Sequence, residues 1–212
     1  MVKAGNRKYH ISTLFAAQKM ITDMNNAGIP FETASNKVIN IDSLYFGATA
    51  VNQGIDIEDG NKLNSNGITT AIRWNGNWRL WGGHTSAFSE EQKATLGKEI
   101  FDTYGAMQIY LANDFILSSP ELQDGPMNVG LLESIIADEE AKLDNLVDIG
   151  ALVGHPKFIA DGMIDISDIK NGSFAWQLTD TPVPQFKDGT LTVIWTDEGY
   201  ATLIPGGAEN ED

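Results

Sequence analysis

The sequence predicts an α+β chain, α/β in the broad sense: a mixed β-sheet with a tryptophan-rich hairpin, covered by two long helices and followed by an extended carboxy-terminal arm. Three observations point there. Apolar residues recur at helical spacing through two long segments, and short β-rich pieces lie on either side of them. The stretch GITTAIRWNGNWRLWGGHT, residues 67–85, sets an Asn-Gly pair between two aromatic runs. Asn75 and Gly76 accept the positive φ angles of a type I′ turn, so residues 68–74 and 77–82 are expected to pair as a hairpin.

The elements follow in order. Ser12 is placed to cap an amphipathic helix with apolar positions Leu14, Ala17, Met20, Ile21 and Met24, and Gly28 and Pro30 end it. VINI and SLYFG read as short strands, and DIEDGNKLNSNG as a polar helical turn or loop. After the hairpin, Ser89 and Gln92 fit a capping box opening a long helix. Leu96, Ile100, Phe101, Tyr104, Met107, Ile109 and Leu111 carry it toward Pro120, with Gly97 and Gly105 as weak points. Pro126 suits the first position of a second helix that reaches Asp148. Beyond Gly154, KFIADG, SFAWQLTD and LTVIWT read as strands. YATLI either closes a hairpin around Asp197, Glu198 and Gly199 or reaches a neighbour, and the neighbour is favoured. No repeat or composition step marks a second domain, so the expected organisation is a core domain over residues 1–199 and an arm with a disordered tail over 200–212.

Composition narrows the function. With 212 residues, 42% of them hydrophobic, the chain can bury a sizeable core. Fourteen Lys and Arg against 29 Asp and Glu leave a net charge of -15, which repels phosphate backbones and anionic membranes, so no nucleic acid partner is expected. No apolar run approaches the roughly 20 residues of a membrane span, and the amino end lacks the apolar stretch of a signal peptide. The chain therefore reads as soluble and made in the cytoplasm, without direct membrane insertion. The absence of cysteine removes disulfides, thiolate metal sites and cysteine nucleophiles together.

The candidate chemistry is thin. Aligning Gly60 of DIEDGN with the glycine of a calcium loop puts Ile55, Ile57 and Asn66 where oxygen ligands belong, so the segment reads as a solvated acidic turn. His10, His84 and His155 show no metal-binding spacing, and no nucleophile elbow, phosphate loop or dinucleotide fingerprint is present. Neither an enzyme nor a cofactor or metal is expected. Trp74, Trp78 and Trp81 could stack on a ligand, yet strand alternation sends Trp78 and Leu80 to one face and Arg79 and Trp81 to the other. A hairpin with apolar groups on both faces is expected to be buried on both. The alternative of a different class is an acidic α/β enzyme or ligand-binding domain, with the tryptophan hairpin at its mouth and His84 or Glu139 as the polar group.

The run G-I-T-T-A-I-x-x-x-G-x-W-R-L-W-G, carrying Gly67, Thr70, Gly76, Trp78, Arg79, Leu80, Trp81 and Gly82, resembles the hallmark hairpin of contractile bacteriophage tail sheath proteins. That family typically continues with Asn-Arg-Thr, where Gly83, His84 and Thr85 stand here, so the arginine's contact does not carry over to His84. PFETASNKVINI resembles the family's upstream Pro-Ser-Asn segment, with Ser35 and Asn36 matching and Ala34 in place of proline. DGPMNVGLLESII and LDNLVDIGALVGH resemble its helix and its ending at Leu143, Leu146, Gly150, Ala151 and Leu152. From residue 28 to residue 204 the order of segments is similar to the carboxy-terminal half of a sheath protein. Such proteins are usually longer, so the chain reads as a carboxy-terminal piece, a shortened form or an unusually small member, and in the first two cases the family's amino-terminal arm and outer domains are expected to be absent here.

The resemblance implies a structural subunit that polymerises around an inner tube and contracts to drive the tube through a cell envelope. It implies a place in the contractile tail of a virion, assembled in the bacterial host cytoplasm. The partners it implies are copies of the chain in a helical sheath, the inner tail tube protein, and baseplate and tail terminator proteins. Sheath subunits are linked by terminal arms that add strands to a neighbour's sheet, which makes Tyr200, Ala201, Thr202, Leu203 and Ile204 the candidate donated strand. The helix of residues 126–148 corresponds to the family's tube-facing segment. At about 100° per residue, Leu131, Leu132, Ile135, Ile136, Leu143, Leu146 and Val147 form one apolar arc, with Glu133, Glu140, Asp144 and Asp148 opposite. That acidic side is either a solvated face or a tube contact. Glu139 falls inside the apolar arc and needs a buried partner or a way past the core edge.

Overall fold

Two apolar clusters organise the chain, and each gathers around short antiparallel strands. A computed structural model describes residues 1–51, 54–118, 120–160, 162 and 165–203. In the amino-terminal part, β1 (Val2–Ala4) and β2 (Arg7–Tyr9) form a hairpin across Gly5 and Asn6. With β3 (Ser43–Phe46) and β4 (Thr49–Val51) they make a four-stranded antiparallel sheet in the order β2-β1-β3-β4. The β1–β2 hairpin was not expected from the sequence, although the Gly-Asn pair between Ala4 and Arg7 is a hairpin turn signal. The tryptophan hairpin follows as β5 (Thr70–Trp74) and β6 (Asn77–Trp81), in register from Thr70↔Trp81 to Trp74↔Asn77. Its turn has φ 50° at Asn75 and 77° at Gly76, the doubly left-handed backbone that this residue pair tolerates.

One face of the hairpin is buried, whereas the other is covered over Thr70 and Ile72 and only partly over Trp81, with Trp74 46% exposed. Ala71, Trp78 and Leu80 enter the first cluster with Val2, Ala34, Ile39, Ile41 and Leu44, and Trp78 keeps only 7% of its surface. Ile72 and Trp81 lie under α2 (Ile57–Asn64), whose N-cap Asp56 accepts a 2.9 Å bond from the Asp59 amide. The two elements meet at Gly60, where a Cβ would come within 2.7 Å of the Ile72 side chain and 2.9 Å of the Trp81 ring. Residues 36–39 run along the outer edge of β6, leaving a turn at Asn36 and forming a bridge between Val38 and Arg79. There the Asn36 amide donates to the Leu80 carbonyl, the Leu80 amide to Lys37, and the Ile39 amide to Trp78, at 2.7, 3.0 and 2.9 Å.

Helix α1 (Ile11–Asn25) departs from its expected orientation. Its N-cap is His10, not Ser12, and carries no side-chain cap. Leu14 and Phe15 do pack on the first cluster, but Met20, Ile21 and Met24 are exposed, and Thr22 on the inner face keeps only 2% of its surface. Thr22 escapes the cost of burial by donating from Oγ1 to the Gln18 carbonyl at 2.9 Å.

The second cluster lies between α3 (Asp102–Ser118), α4 (Val129–Asp148) and the hairpin of β7 (Lys157–Ala160) and β8 (Trp176–Thr179). A short α5 (Ile166–Lys170) links the two strands of that hairpin. The expected helix start at Ser89 is not realised. Residues 89–100 form successive turns, because Thr85 must pair with Ile100 and Asp102 with Gly83 in a bridge across His84 and Phe101. That tertiary pairing overrides the local capping signal and delays α3 to Asp102. Helix α4 opens with Asn128 rather than Pro126 as its boundary residue: the Asn128 side chain accepts from the Leu131 amide at 3.0 Å.

The α+β class stands and two long helices are present, but they pack against β7 and β8 rather than over the tryptophan hairpin, and the sheet is not mixed. The described strands form three separate antiparallel sheets, and the tryptophan hairpin is a sheet of its own, flanked by segment 36–39. The expected strand at LTVIWT is also absent. Residues 189–196 have no ladder partner, and Leu191, Val193, Ile194 and Trp195 are exposed. A strand exists only through its neighbour's hydrogen bonds, and this segment has no ladder partner among the described residues.

Candidate assembly interfaces

The hairpin motif acts first as a structural joint. Gly67 and Gly82 bracket it where chains crowd: a Cβ would stand 2.6 Å from the Thr85 carbonyl oxygen at the first and 2.5 Å from the Asn64 amide at the second. Thr70, Trp78 and Leu80 are buried, and Gly76 forms the turn. Arg79 donates from Nη1 to the Asn36 carbonyl at 2.8 Å, pinning the segment that covers β6. Trp81 Nε1 donates to Asn61 of α2 at 2.9 Å. All eight motif residues therefore belong to one packed unit.

Trp74, Trp81 and His84 do share the lining of a pocket of about 540 Å³. The ring of His84 is stacked at 3.7 Å on Phe88 and 5.0 Å on Phe101, and its Nδ1 donates to the Ile100 carbonyl at 3.1 Å. Burial holds its pKa below the ordinary value, with the nearby Lys187 charge acting in the same direction. This imidazole is a neutral wedge at the joint between the hairpin and α3.

The same joint holds the root of the carboxy-terminal arm. Gln185 donates from Nε2 to Asp102 Oδ1 at 3.1 Å and to Thr103 Oγ1 at 3.2 Å, while Thr33 donates to the other Asp102 oxygen at 3.3 Å. Burial raises the Asp102 pKa against these bonds, and burial likewise lowers that of Lys187. Nothing in the sequence pattern marked Gln185, since its partners lie more than 80 residues away.

Helix α4 sorts its residues as the arc predicted. Ile135, Leu143 and Leu146 are buried in the second cluster, and Glu133, Glu140, Asp144 and Asp148 are exposed on the far side, with no ion pair among the described residues. Glu139 is buried to 7% exposure and does find a partner. Lys142, one turn on, donates to it at 2.6 Å and also reaches Asp114 at 3.3 Å and Ser118 Oγ at 3.0 Å. Burial works against the lysine's charge, but the bond to Glu139 and both carboxylate charges outweigh it and raise the Lys142 pKa. The i,i+3 spacing of Glu139 and Lys142 was the available signal.

At the carboxy-terminal end, Tyr200, Ala201, Thr202 and Leu203 lie within a 3-10 helix, Glu198–Leu203, in which Thr202 Oγ1 donates to the Gly199 carbonyl at 2.8 Å. Ile204 lies outside the described residues. Both Tyr200 and Leu203 are exposed.

No family model matches the chain. Two curated phage proteins are similar to it. The major tail sheath protein of Serratia phage KSP20 is 29% identical over 157 residues, 71% of this chain and 36% of that protein. The tail sheath protein of Escherichia phage P2 is 26% identical over 150 residues, 69% of this chain and 35% of that protein. Among solved structures, a chain of the anti-feeding prophage baseplate superposes with a TM-score of 0.72 at 16% identity, covering 92% of this chain and 52% of its own. A chain of the sheath complex of an extracellular contractile injection system, in its contracted state, gives a TM-score of 0.75 at 15% identity, with 93% and 55% covered. The comparisons lend no support to the enzyme alternative. The chain spans about a third of the length of its curated phage relatives, and over that part it is similar in sequence to two tail sheath proteins and similar in fold to chains of contractile injection systems.

Proposed function

We propose that the chain is a structural subunit of a contractile tail sheath, one that polymerises around an inner tube and contracts to drive that tube through a cell envelope. The observation that carries the reading is the 29% identity over 157 residues to a major tail sheath protein. Its partners would then be copies of itself, the tube protein, and the baseplate and terminator proteins at the sheath's ends. Its place is the contractile tail of the virion, assembled in the host cytoplasm. The subunit works by packing rather than by chemistry, so no active site is required of it.

The acidic stripe of α4 is the proposed tube contact. Glu140, Asp144 and Asp148 follow one another at i,i+4, where like charges repel by about 0.2–0.5 kcal/mol per pair. Asp144 and Asp148 also stand near the negative end of the helix dipole, and no basic residue occupies its last turn. The stripe therefore works against the helix that carries it, and a basic surface on the tube would relieve it. Each rim pair would contribute only about 0.2–1 kcal/mol, weak enough to release and strong when repeated over every subunit. The exposed arm is the proposed link to a neighbour, with Tyr200, Ala201, Thr202, Leu203 and Ile204 changing from a 3-10 turn to an added strand.

Charge reversal to lysine at Glu133, Glu140 and Asp144 tests the reading. The variant should keep its fold by circular dichroism and fail to assemble around its tube in negative-stain images. Extended particles of normal appearance from this variant would remove α4 from the tube interface.

A further inference from the structure

Four segments that lie far apart in the sequence converge on one carboxylate. Asp102 opens α3, and its amide donates to the Gly83 carbonyl at 3.0 Å. One of its side-chain oxygens accepts from Thr33 at 3.3 Å, and Thr33 is held in turn by the Ser35 amide at 3.2 Å. The other accepts from Gln185, whose amide group also donates to Thr103. Gly83 lets these side chains meet, since a Cβ there would stand 2.5 Å from Gln185 Oε1 and 2.8 Å from Thr33 Oγ1.

Gln185 is also where the carboxy-terminal segment parts from the body. Just before it, the Val153 amide donates to the Thr181 carbonyl at 2.9 Å and the Val183 amide to Ala151 at 3.4 Å, tying the chain to the segment that follows α4. Just after it, Phe186 is 88% exposed, and among the described residues no hydrogen bond joins residues 186–203 to the rest of the chain. The two bonds from one neutral amide are therefore the last hydrogen bonds that hold the arm.

We propose that Asp102 is a proton-operated latch within the chain, closed on Gln185 and holding the root of the arm when the carboxyl is neutral, and loosened when it is ionised. The hydrogen bonds of the cluster can be satisfied in either state. As a carboxylate, Asp102 accepts from both donors. As a carboxylic acid, it still accepts from Gln185 on one oxygen, and its own O–H turns to the Thr33 hydroxyl, which has one lone pair for it and another for the Ser35 amide. What differs is access to water. Opening the latch lets solvent reach Asp102, which lowers the free energy of a carboxylate far more than that of a neutral acid. The titration of the group agrees. Burial pushes the Asp102 pKa above the ordinary 3.8, and the Gln185 bond, the Lys19 charge, the Thr33 bond and the Thr103 amide pull it back without cancelling the rise.

Linkage then sets the direction. The closed latch has the raised pKa, and the open one, being solvated, returns toward the ordinary value, so closing takes up a proton. Closure is most favoured below the ordinary value and weakens as the pH rises through the raised one. Charged groups surround the cluster on every side. Lys187 on the arm attracts Asp102 and its own neighbour Asp188, and so resists opening. Lys19 of α1 is paired with Asp23, and Glu32, beside Thr33, with Lys37. His84, at the exit of the hairpin, is neutral above its lowered pKa. The rise at Asp102 survives all of these, so burial decides the sign.

The chain has no cysteine, so a single nitroxide label attached through Phe186→Cys in the full-length protein tests this. The ratio of mobile to held label, read from the electron paramagnetic resonance line shape, should rise from acidic to neutral pH. The rise should be about tenfold for each unit by which the closed pKa exceeds the open one. Asp102→Asn keeps an acceptor for Gln185 and gives Thr33 a donor without the charge, so its label should stay held at every pH. Gln185→Ala removes the hold, and its label should be mobile at every pH. His84→Phe removes the nearby histidine that titrates on acidification, and should keep the rise. A rise that persists in Asp102→Asn overturns the latch, and so does one that is lost in His84→Phe or a label that stays held in Gln185→Ala. Circular dichroism over the same pH range separates opening from unfolding: a label freed only as the whole fold is lost also overturns it.

Discussion

His84 occupies the place where the hairpin resemblance breaks, and its surroundings make it a packing residue with a pH liability. Stacked between Phe88 and Phe101 and bonded to the Ile100 carbonyl, it is best accommodated neutral. Its folded pKa lies below the ordinary 6.5, so its contribution to stability is present above 6.5 and is lost as the pH falls through the lower folded value. His84→Phe keeps the ring stack and gives up one hydrogen bond, at about 0.5–1.5 kcal/mol. Melting temperatures taken from neutral pH downward should then converge, the wild type losing stability on acidification and the variant holding; parallel curves would refute the neutral-wedge assignment. The glutamate of the α4 apolar arc taught a similar lesson. Its position in the arc was legible from periodicity alone, and so was its need for a partner, whereas the triple role of Lys142 required knowing that α3 delivers Asp114 and Ser118 beside it.

At the scale of elements, what the sequence made legible was whatever is decided within a few residues. The Asn75-Gly76 turn fixes the hairpin register by itself, and the alternation marks the buried face of Trp78 and Leu80 but not how far the other face, with Trp74 exposed, is covered. What it hid depends on distant segments: α3 starts late because residues 83–85 claim residues 100–102, and α1 is rotated because the first cluster accepts Leu14 and Phe15 rather than Met20 and Met24. The seam between α2 and the hairpin offers a paired test. Gly60→Ala gains helix propensity but drives a methyl group into Ile72 and Trp81, and should cost about 1–2 kcal/mol net. Gly105→Ala in α3, where a Cβ would meet nothing within 4 Å, should stabilise by about 0.5–1 kcal/mol. Urea midpoints of the two variants shifting in the same direction would contradict this account of the seam.

For the whole molecule, the body and the arm separate cleanly. Both apolar clusters are built from residues that end at Leu178, and the exposed side chains from Leu191 onward contribute to neither. Deleting residues 200–212 should therefore leave melting behaviour unchanged and abolish assembly, and loss of the fold itself would place the arm within the body. The α+β class was readable from the order of apolar patterns, but its division into three small sheets was not, because strand pairing between distant segments leaves no local periodic mark. The outer edge of β6 is occupied by residues 36–39 and clamped there by Arg79. If the chain polymerises as proposed, it faces the hazard of polymerising wrongly, because an aromatic strand with a bare edge is a template for amyloid-like stacking. Sealing that edge from within the chain removes the template, so that any growth is left to other surfaces.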